Sequence, residues 1–209
     1  GTTLAVSADL RTGLAGSADE AAGGDAAAAV LVGDGDRVVA EYLGGASATE
    51  EFLDRWRQPG DIRSKVWDDK FSEITYVGLG RQAFKQALAD TALSPTDIAA
   101  VAVAAPTARI GKALAGKLGV EKVIADLTDV VGATGAAQPG VLLASTLEQA
   151  EPGQVIALVV LADGADVLLF RTTDAVARAV TARSIAAIVS RASSSANDHG
   201  GRSATHLYS

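Results

Sequence analysis

Apolar positions along this chain fall into short blocks bounded by glycine, proline and acidic turns. Thr2 to Ser7 has the pattern of a strand, and Asp9 to Asp25 is a loop rich in glycine, alanine and acids. Ala26 to Val32 is almost continuously apolar between Gly24-Asp25 and Gly33-Asp34-Gly35-Asp36. Such a run suits a strand buried on both faces. Arg37 to Leu43 then predicts a returning strand, so 26–43 reads as a hairpin. Residues 44–72 form a long connection holding Trp56 and Trp67, with a short helix expected over Thr49 to Arg57 and Thr49 as its N-cap. A connection of this length is a lid or binding flap, or a surface excursion that covers a partner subunit.

Phe71 to Leu93 carries helical spacing, with Ile74, Val77, Leu79, Phe84 and Leu88 as the core stripe and Gly78 and Gly80 allowing close packing. A turn at Ser94-Pro95-Thr96-Asp97 leads to a buried strand at 99–104, the turn Pro106 to Ile110, and a helix from Ile110 to Leu118. A second apolar segment, Lys122 to Ala125, runs into the small-residue turn Gly132-Ala133-Thr134-Gly135-Ala136-Ala137, which opens a helix over Gln138 to Gln149. After Glu151-Pro152-Gly153, the segments Gln154 to Leu161 and Ala165 to Thr172 predict a hairpin through Asp163-Gly164. Residues 174–191 have a helical pattern with Ile185, Ile188 and Val189 on one face; Ala192 to Ser209 is polar and reads as disordered or extended.

Composition narrows the chemistry. Aromatic residues are 4% of the chain against 48% hydrophobic, so alanine, valine, leucine and glycine fill the core. Net charge is −7, against a general nucleic-acid surface. There is no cysteine, which excludes a disulfide, a thiolate metal site and a cysteine nucleophile. The absence of methionine marks Gly1 as a processed or truncated start rather than a native one. No apolar run approaches the roughly 20 residues of a membrane span, and a cytoplasmic location with no membrane contact is the expectation. The acidic turn at 34–36 lacks the spacing of a calcium loop, and His199 and His206 read as solvated tail residues. No metal or permanently bound cofactor is expected.

Two strand-to-helix turns, at 104–110 and 132–137, place loop residues and helix starts at one sheet edge, where open α/β folds put their sites. The sequence Ala104 to Gly119, AAPTARIGKALAGKLG, resembles the turn of ketoacyl synthase III and hydroxymethylglutaryl-CoA synthase proteins that reads His-Gln-x-Asn-x-Arg-Ile. On that register Ala104 takes the histidine position and Thr107 the asparagine position, while Arg109 and Ile110 are retained. Gly132 to Ala137 resembles the Gly-Asn-Thr-x-Ala-Ala turn, with Ala133 in the asparagine position. Glu151-Pro152-Gly153-Gln154, Gly24 to Ala28, and Ser7, Asp9, Arg11, Thr12 and Gly13 are similar to three further family segments. Trp56 and the Pro-Gly-Asp at 59–61 favour the hydroxymethylglutaryl-CoA-synthase-like branch of the thiolase superfamily.

The resemblance implies an α/β, thiolase-like layered α/β/α/β/α fold, incomplete at the N-terminus. It implies four segments: 1–45 from an N-terminal half, 46–72 a connecting loop, 73–173 a C-terminal half, and 174–209 a helix and flexible tail. Family members condense acyl thioesters with a cysteine, a histidine and an asparagine or second histidine. Here none is in place, since Ala104 and Ala133 occupy two of the positions. The implied role is a degenerate, non-catalytic subunit that acts as partner or pocket wall in an acyl-CoA-processing complex. The alternative is an acyltransferase, condensing or lyase enzyme with relocated residues, drawn from Thr107, Thr134, Asp129, Arg109 and Asp163; Asp126 and Asp129 have no spacing that pairs them as an acid/base couple and also read as solvated loop acids. A third reading is a scaffold or acyl-carrier module. Arg109, Thr107, Thr134 and Gly132 are the candidates to hold a coenzyme A thioester, Arg109 through a phosphate. Bland roles compete with these: a surface ion pair for Arg109, an N-cap for Thr107 and a turn hydroxyl for Thr134. Expected partners are thiolase-fold chains in a homo- or hetero-oligomer and an OB-fold acyl-CoA-binding protein.

Overall fold

A computed structural model describes residues 1–10, 13, 15–56, 58–61, 65–179 and 184–185 of the chain. The strands are β1 (Thr2–Asp9), β2 (Ala26–Gly33), β3 (Ala40–Ala48), β4 (Arg55–Trp56), β5 (Lys65–Val66), β6 (Ile98–Ala104), β7 (Val155–Leu161) and β8 (Ala165–Thr172). The helices are α1 (Ala18–Ala22), α2 (Asp69–Asp90), α3 (Ala108–Ala115), α4 (Thr128–Val131), α5 (Gln138–Glu148) and α6 (Val176–Ala179). Four strands form one mixed sheet in the order β3-β8-β7-β6, with β6 parallel to β7 and the other two pairs antiparallel.

Alternation along these strands divides the core in two. Val101 and Val103 of β6, Val155, Ala157, Val159 and Leu161 of β7, and Val167 and Leu169 of β8 pack with α2 and α3. Ala100, Ala102 and Ala104 of β6, with Ile156 and Leu158 of β7, face the other way and pack with Leu142 of α5. The alanine face of β6 lets α5 lie close, and Leu142 is wholly buried there. Beyond α5 lies the β1–β2 ribbon; Gly140 of α5 meets Ala28 so closely that a Cβ would stand 2.5 Å from the alanine methyl. The order is therefore helices, sheet, helix, ribbon. No described helix of eight or more residues covers the outer face of the ribbon.

Three expectations need correcting. The hairpin over 26–43 does not form. β2 pairs with β1 along their whole length, and β3 crosses to the larger sheet, where pairing with β8 lets Ala46 and Ala48 join the core. The helix over Thr49 to Arg57 is absent among the described residues (Arg57 lies outside them). Contacts from distant segments override the local helical preference there. Arg55 and Trp56 pair with Val66 and Lys65, the Asp54 carbonyl accepts from the Trp67 N–H at 2.8 Å, and Phe52 stacks edge-on against Tyr76 at 5.0 Å. Ile74 is 69% exposed rather than part of the core stripe, while Val77, Leu79, Phe84 and Leu88 are buried as expected.

Smaller differences have local causes. α2 starts two residues before Phe71 because Asp68 caps it, accepting from the Lys70 and Phe71 N–H groups at 3.0 and 2.8 Å. The turn at Ser94 is a capping box, and the Ser94 hydroxyl and N–H hold the Asp97 carboxyl below the usual carboxylate range. The apolar segment at Lys122 to Ala125 forms only one parallel bridge, Val101 to Val123, and not a full strand. α3 begins two residues before Ile110, on a Thr107 cap. Of the 174–191 helix the structure describes α6 and residues 184–185. Ile188, Val189, His199, His206 and the polar tail lie outside the described residues.

Candidate functional site

β6 and β7 run parallel and end together, with Ala104 opposite Val160. The turn after β6 and the segment 126–138 close over this edge. Thr107, Ala108 and Gly111 share a crevice there with Asp126, Thr128 and Gln138. Its volume is about 10 Å³, room for one water molecule and no acyl chain. The strand-to-helix geometry that the sequence predicts is present, and the space is filled.

The side chains at this edge hold one another. Thr134 is fully buried, and its N–H and hydroxyl both donate to Oε1 of Gln138, at 3.1 and 2.5 Å. Gln138 Nε2 donates in turn to the Asp126 carbonyl at 2.6 Å. The Asp126 carboxylate accepts from the Thr128 N–H and hydroxyl at 3.0 and 2.7 Å, and so fixes the start of α4. Between them, Leu127 takes a left-handed backbone, φ 64°, which a branched side chain adopts only when its surroundings impose it. Leu127 packs on the Leu142 cluster, which supplies that constraint.

Glycine contacts fix the turn at 132. Residues 22–24 run beside 131–133 in a parallel bridge: the Ala133 N–H donates to the Ala22 carbonyl at 2.7 Å, and the Gly24 N–H to the Ala133 carbonyl at 3.1 Å. A Cβ on Gly132 would stand 2.6 Å from the Gly23 carbonyl oxygen, and one on Gly24 would run into the Val131 carbonyl. Gly132 is also in a positive-φ conformation, at 76°. The two backbones touch, so no side chain fits between them.

The remaining candidates separate. Thr107 is exposed and caps α3, its hydroxyl accepting from the Ile110 N–H at 3.3 Å. Arg109 pairs with Glu73 of α2 at 2.9 Å, with its side chain 55% exposed. Asp129 is exposed on the first turn of α4. Asp163 sits in the β7–β8 turn, also in a left-handed backbone, and joins a different group. Its N–H donates to the Tyr76 hydroxyl at 3.3 Å, and that hydroxyl donates to the buried Asp54 carboxylate at 3.2 Å. Burial pushes the Tyr76 phenol up to about 12; the Asp163 N–H opposes this and the Asp54 carboxylate adds to it.

Ala104 is buried, and Ala133 is half-buried with its backbone in the bridge to 22–24. Neither offers a proton or a side-chain donor. Sequence reasoning missed Gln138, the centre of the network, although a lone amide at the first position of an apolar helix was a signal for it. It also missed Asp9, whose carboxylate accepts from the Ala136 N–H at 3.1 Å and ties β1 to the turn. Among the described residues no group of three or more His, Asp or Glu side chains is placed to hold a metal, and no helix is long and apolar enough to cross a membrane.

No protein-family model matches the chain, and neither does any curated protein. Solved structures do match its shape. An HMG-CoA synthase complexed with CoA superimposes with a TM-score of 0.76 at 17% identity, over 91% of this chain and 53% of that one. A 3-oxoacyl-(acyl carrier protein) synthase III from Pseudomonas aeruginosa gives 0.69 at 20% identity, over 82% and 58%. A further structure in complex with 3-hydroxy-3-methylglutaryl coenzyme A gives 0.64 at 18% identity, over 92% and 56%. The chain thus spans little more than half the length of the structures it matches. At these identities the likeness establishes architecture, and that architecture is the thiolase-like fold of the thiolase-superfamily condensing enzymes, carried over about half of its extent.

Proposed function

We propose that this chain is a non-catalytic thiolase-fold subunit of an acyl-CoA-processing assembly, acting as a partner or a pocket wall. The observation that carries the reading is the state of the sheet edge where the fold would seat its chemistry. That edge has Ala104 and Ala133 at the positions that the family resemblance marks for side-chain chemistry, and a crevice of about 10 Å³. Thr134, the polar side chain next to Ala133, is sealed against Gln138. Acyl transfer needs a nucleophile, a proton carrier and donors aimed at the developing oxyanion. Loss of one such donor costs about 10² to 10³ in rate, and loss of the whole set leaves little beyond binding.

A coenzyme A thioester remains the ligand class to test, because an HMG-CoA synthase of the same architecture was solved with CoA. Arg109 is the candidate for a phosphate, since its side chain is 55% exposed beside Glu73 and a guanidinium fork suits phosphate oxygens. The decisive assay follows thiol release from short acyl-CoA thioesters by the purified chain. The chain has no cysteine, so every thiol detected comes from coenzyme A. The expected result is release no faster than in buffer. Sustained turnover by the isolated chain overturns the reading. Calorimetric titration with coenzyme A, repeated on Arg109→Ala, tests the ligand assignment separately.

A further inference from the structure

Between the end of β3 and the start of α2 the chain leaves the body of the fold and returns to it. Both roots are fixed: Ala48 pairs with Ala165 in the larger sheet, and Asp68 caps α2. The described arms between them, 52–56 and 65–67, hold each other weakly. β4 and β5 form a sheet of their own, in which Arg55 pairs with Val66 and Trp56 with Lys65. The Trp67 N–H donates to the Asp54 carbonyl at 2.8 Å, and the Trp56 and Trp67 rings lie 6.1 Å apart. Leu53 and Trp67 are 56% and 69% exposed, so they add little burial. An isolated two-stranded ribbon is marginal in water, and the pairing of these arms therefore depends on what docks them.

They dock on Tyr76 of α2. Its ring meets Phe52 edge-on at 5.0 Å, and its hydroxyl donates to the Asp54 carboxylate at 3.2 Å. Tyr76 is 1% exposed and Asp54 5%. The Asp163 N–H donates to the Tyr76 oxygen at 3.3 Å, which directs the single hydroxyl proton to Asp54. That N–H is held in place by the turn around it, where the Ala162 N–H donates to the Gly164 carbonyl at 3.2 Å. A buried carboxylate that loses its donor keeps the full cost of leaving water. Lifting the arms relieves that cost with the loss of little apolar burial, chiefly that of Phe52, which packs at the margin of the core. Val77, Leu79, Phe84 and Leu88 of α2 belong to the core itself and need not move.

We propose that Tyr76 anchors a detachable segment. The arms leave the core together while the larger sheet, α2 and α3 stay folded, and the Tyr76–Asp54 hydrogen bond sets how often they do so. A connection of this kind moves against the body of the fold instead of serving as a fixed surface excursion. Tyr76 is a positioning residue, acting on the arms through Asp54 and Phe52. The anchor is independent of the role proposed for the chain.

Residue-resolved amide hydrogen exchange of the full chain tests the anchor. The Trp67 N–H is bonded to Asp54 and exchanges when the arms part; the β7 N–H groups lie in the ladders with β6 and β8 and exchange when the larger sheet opens. Gly80→Ala crowds Leu114 of α3 and so weakens the body of the fold. There β7 exchange is expected to rise about fivefold or more, and Trp67 exchange to stay within about twofold of the parent. Tyr76→Phe keeps the ring against Phe52 and removes the hydroxyl, and Trp67 exchange is expected to rise about fivefold or more. Asp54→Ala breaks the same bond from the arm side, with the same expected rise, and carries the test if Tyr76→Phe does not fold. Trp67 and β7 rising together in Gly80→Ala overturns the inference, because arms that open only with the whole fold are not detachable. A smaller rise at Trp67 in either hydrogen-bond variant overturns it too, because the arms then dock by other means.

Discussion

Replacing Gln138 by leucine tests whether the turn at 132–138 is held together by its own polar network or keeps that network for a ligand. The substitution conserves volume, so it opens little cavity. It removes Oε1, the acceptor for both the N–H and the hydroxyl of Thr134, and Nε2, the donor to the Asp126 carbonyl. Thr134 has no exposed surface, so its two donors cannot turn to water. Each buried polar group left unpartnered costs about 1–3 kcal/mol, and the half-buried Asp126 carbonyl recovers a water and adds little. The expected loss is about 3 kcal/mol, a large fraction of a domain's usual 5–15 kcal/mol. Urea denaturation reads it as a lower midpoint at unchanged slope. Thr134→Val in the Gln138→Leu background removes one orphaned donor, so the double variant loses less than the sum of the singles, with a coupling of about 1–2 kcal/mol. A single-variant loss below about 0.5 kcal/mol, or strict additivity, refutes the structural assignment. A network kept for a ligand would register in binding and leave the midpoint in place.

Other perturbations probe the surroundings. Ala104→His, which restores the residue type that the resemblance places there, forces an imidazole among Ala100, Ala102, Ile124, Leu142 and Leu158; it lowers stability by about 1–3 kcal/mol in a thermal melt and gives no thioester turnover. The raised phenol of Tyr76 makes the folded state hold its proton where the unfolded state releases it. Stability is then full below pH 10 and falls between about 10 and 12 by about 1.4 kcal/mol per pH unit, a slope that Tyr76→Phe removes. Two glycines of α2 give opposite signs: Gly78 faces open space, so Gly78→Ala stabilises by up to about 1 kcal/mol, whereas a methyl on Gly80 strikes the fully buried Leu114 and Gly80→Ala destabilises by about 1–2 kcal/mol in denaturant melts.

Legibility followed how local each signal was. β6, β7, β8, α2 and α5 are each specified by a run of apolar residues and a flanking turn, and all appear within a few residues of where the sequence puts them. The Ser94 capping box and the Glu151-Pro152-Gly153 stop are local and legible for the same reason. The errors are those in which a distant segment decides. β2 reads as the partner of β3 because the two are adjacent in sequence, but hydrogen bonding goes to β1 and β8. Thr49 to Trp56 has a helical composition, and Asp54 is claimed instead by Tyr76 and Trp67 from elsewhere in the chain. At the site, the turn positions were legible and the side-chain partners were not. Thr107 and Arg109 had both a functional and a structural reading in the sequence; the structure gives each a structural partner, Ile110 and Glu73. Gln138 carried no motif, and Asp9 entered only as part of a family-like segment with no role attached, because their importance lies in which backbone groups they reach.

The form of the turn at 132–137 follows from contacts within this chain. Gly132 is demanded by backbone contact with Gly23 and Thr134 by the buried acceptor of Gln138, and the carboxylate of Asp9 closes on the Ala136 N–H. Each of these ties the turn to β1, to α1 or to α5, which belong to different layers. Any substitution that loosens the turn therefore loosens the joint between the ribbon and the larger sheet. Ala133 is the exception that separates architecture from chemistry. Its backbone N–H and carbonyl both serve the bridge to 22–24, a duty that any L-residue can perform, so the bridge places no requirement on its side chain. Alanine at that position holds the turn through its backbone and adds no side-chain donor or acceptor to the network of Thr134, Gln138 and Asp126.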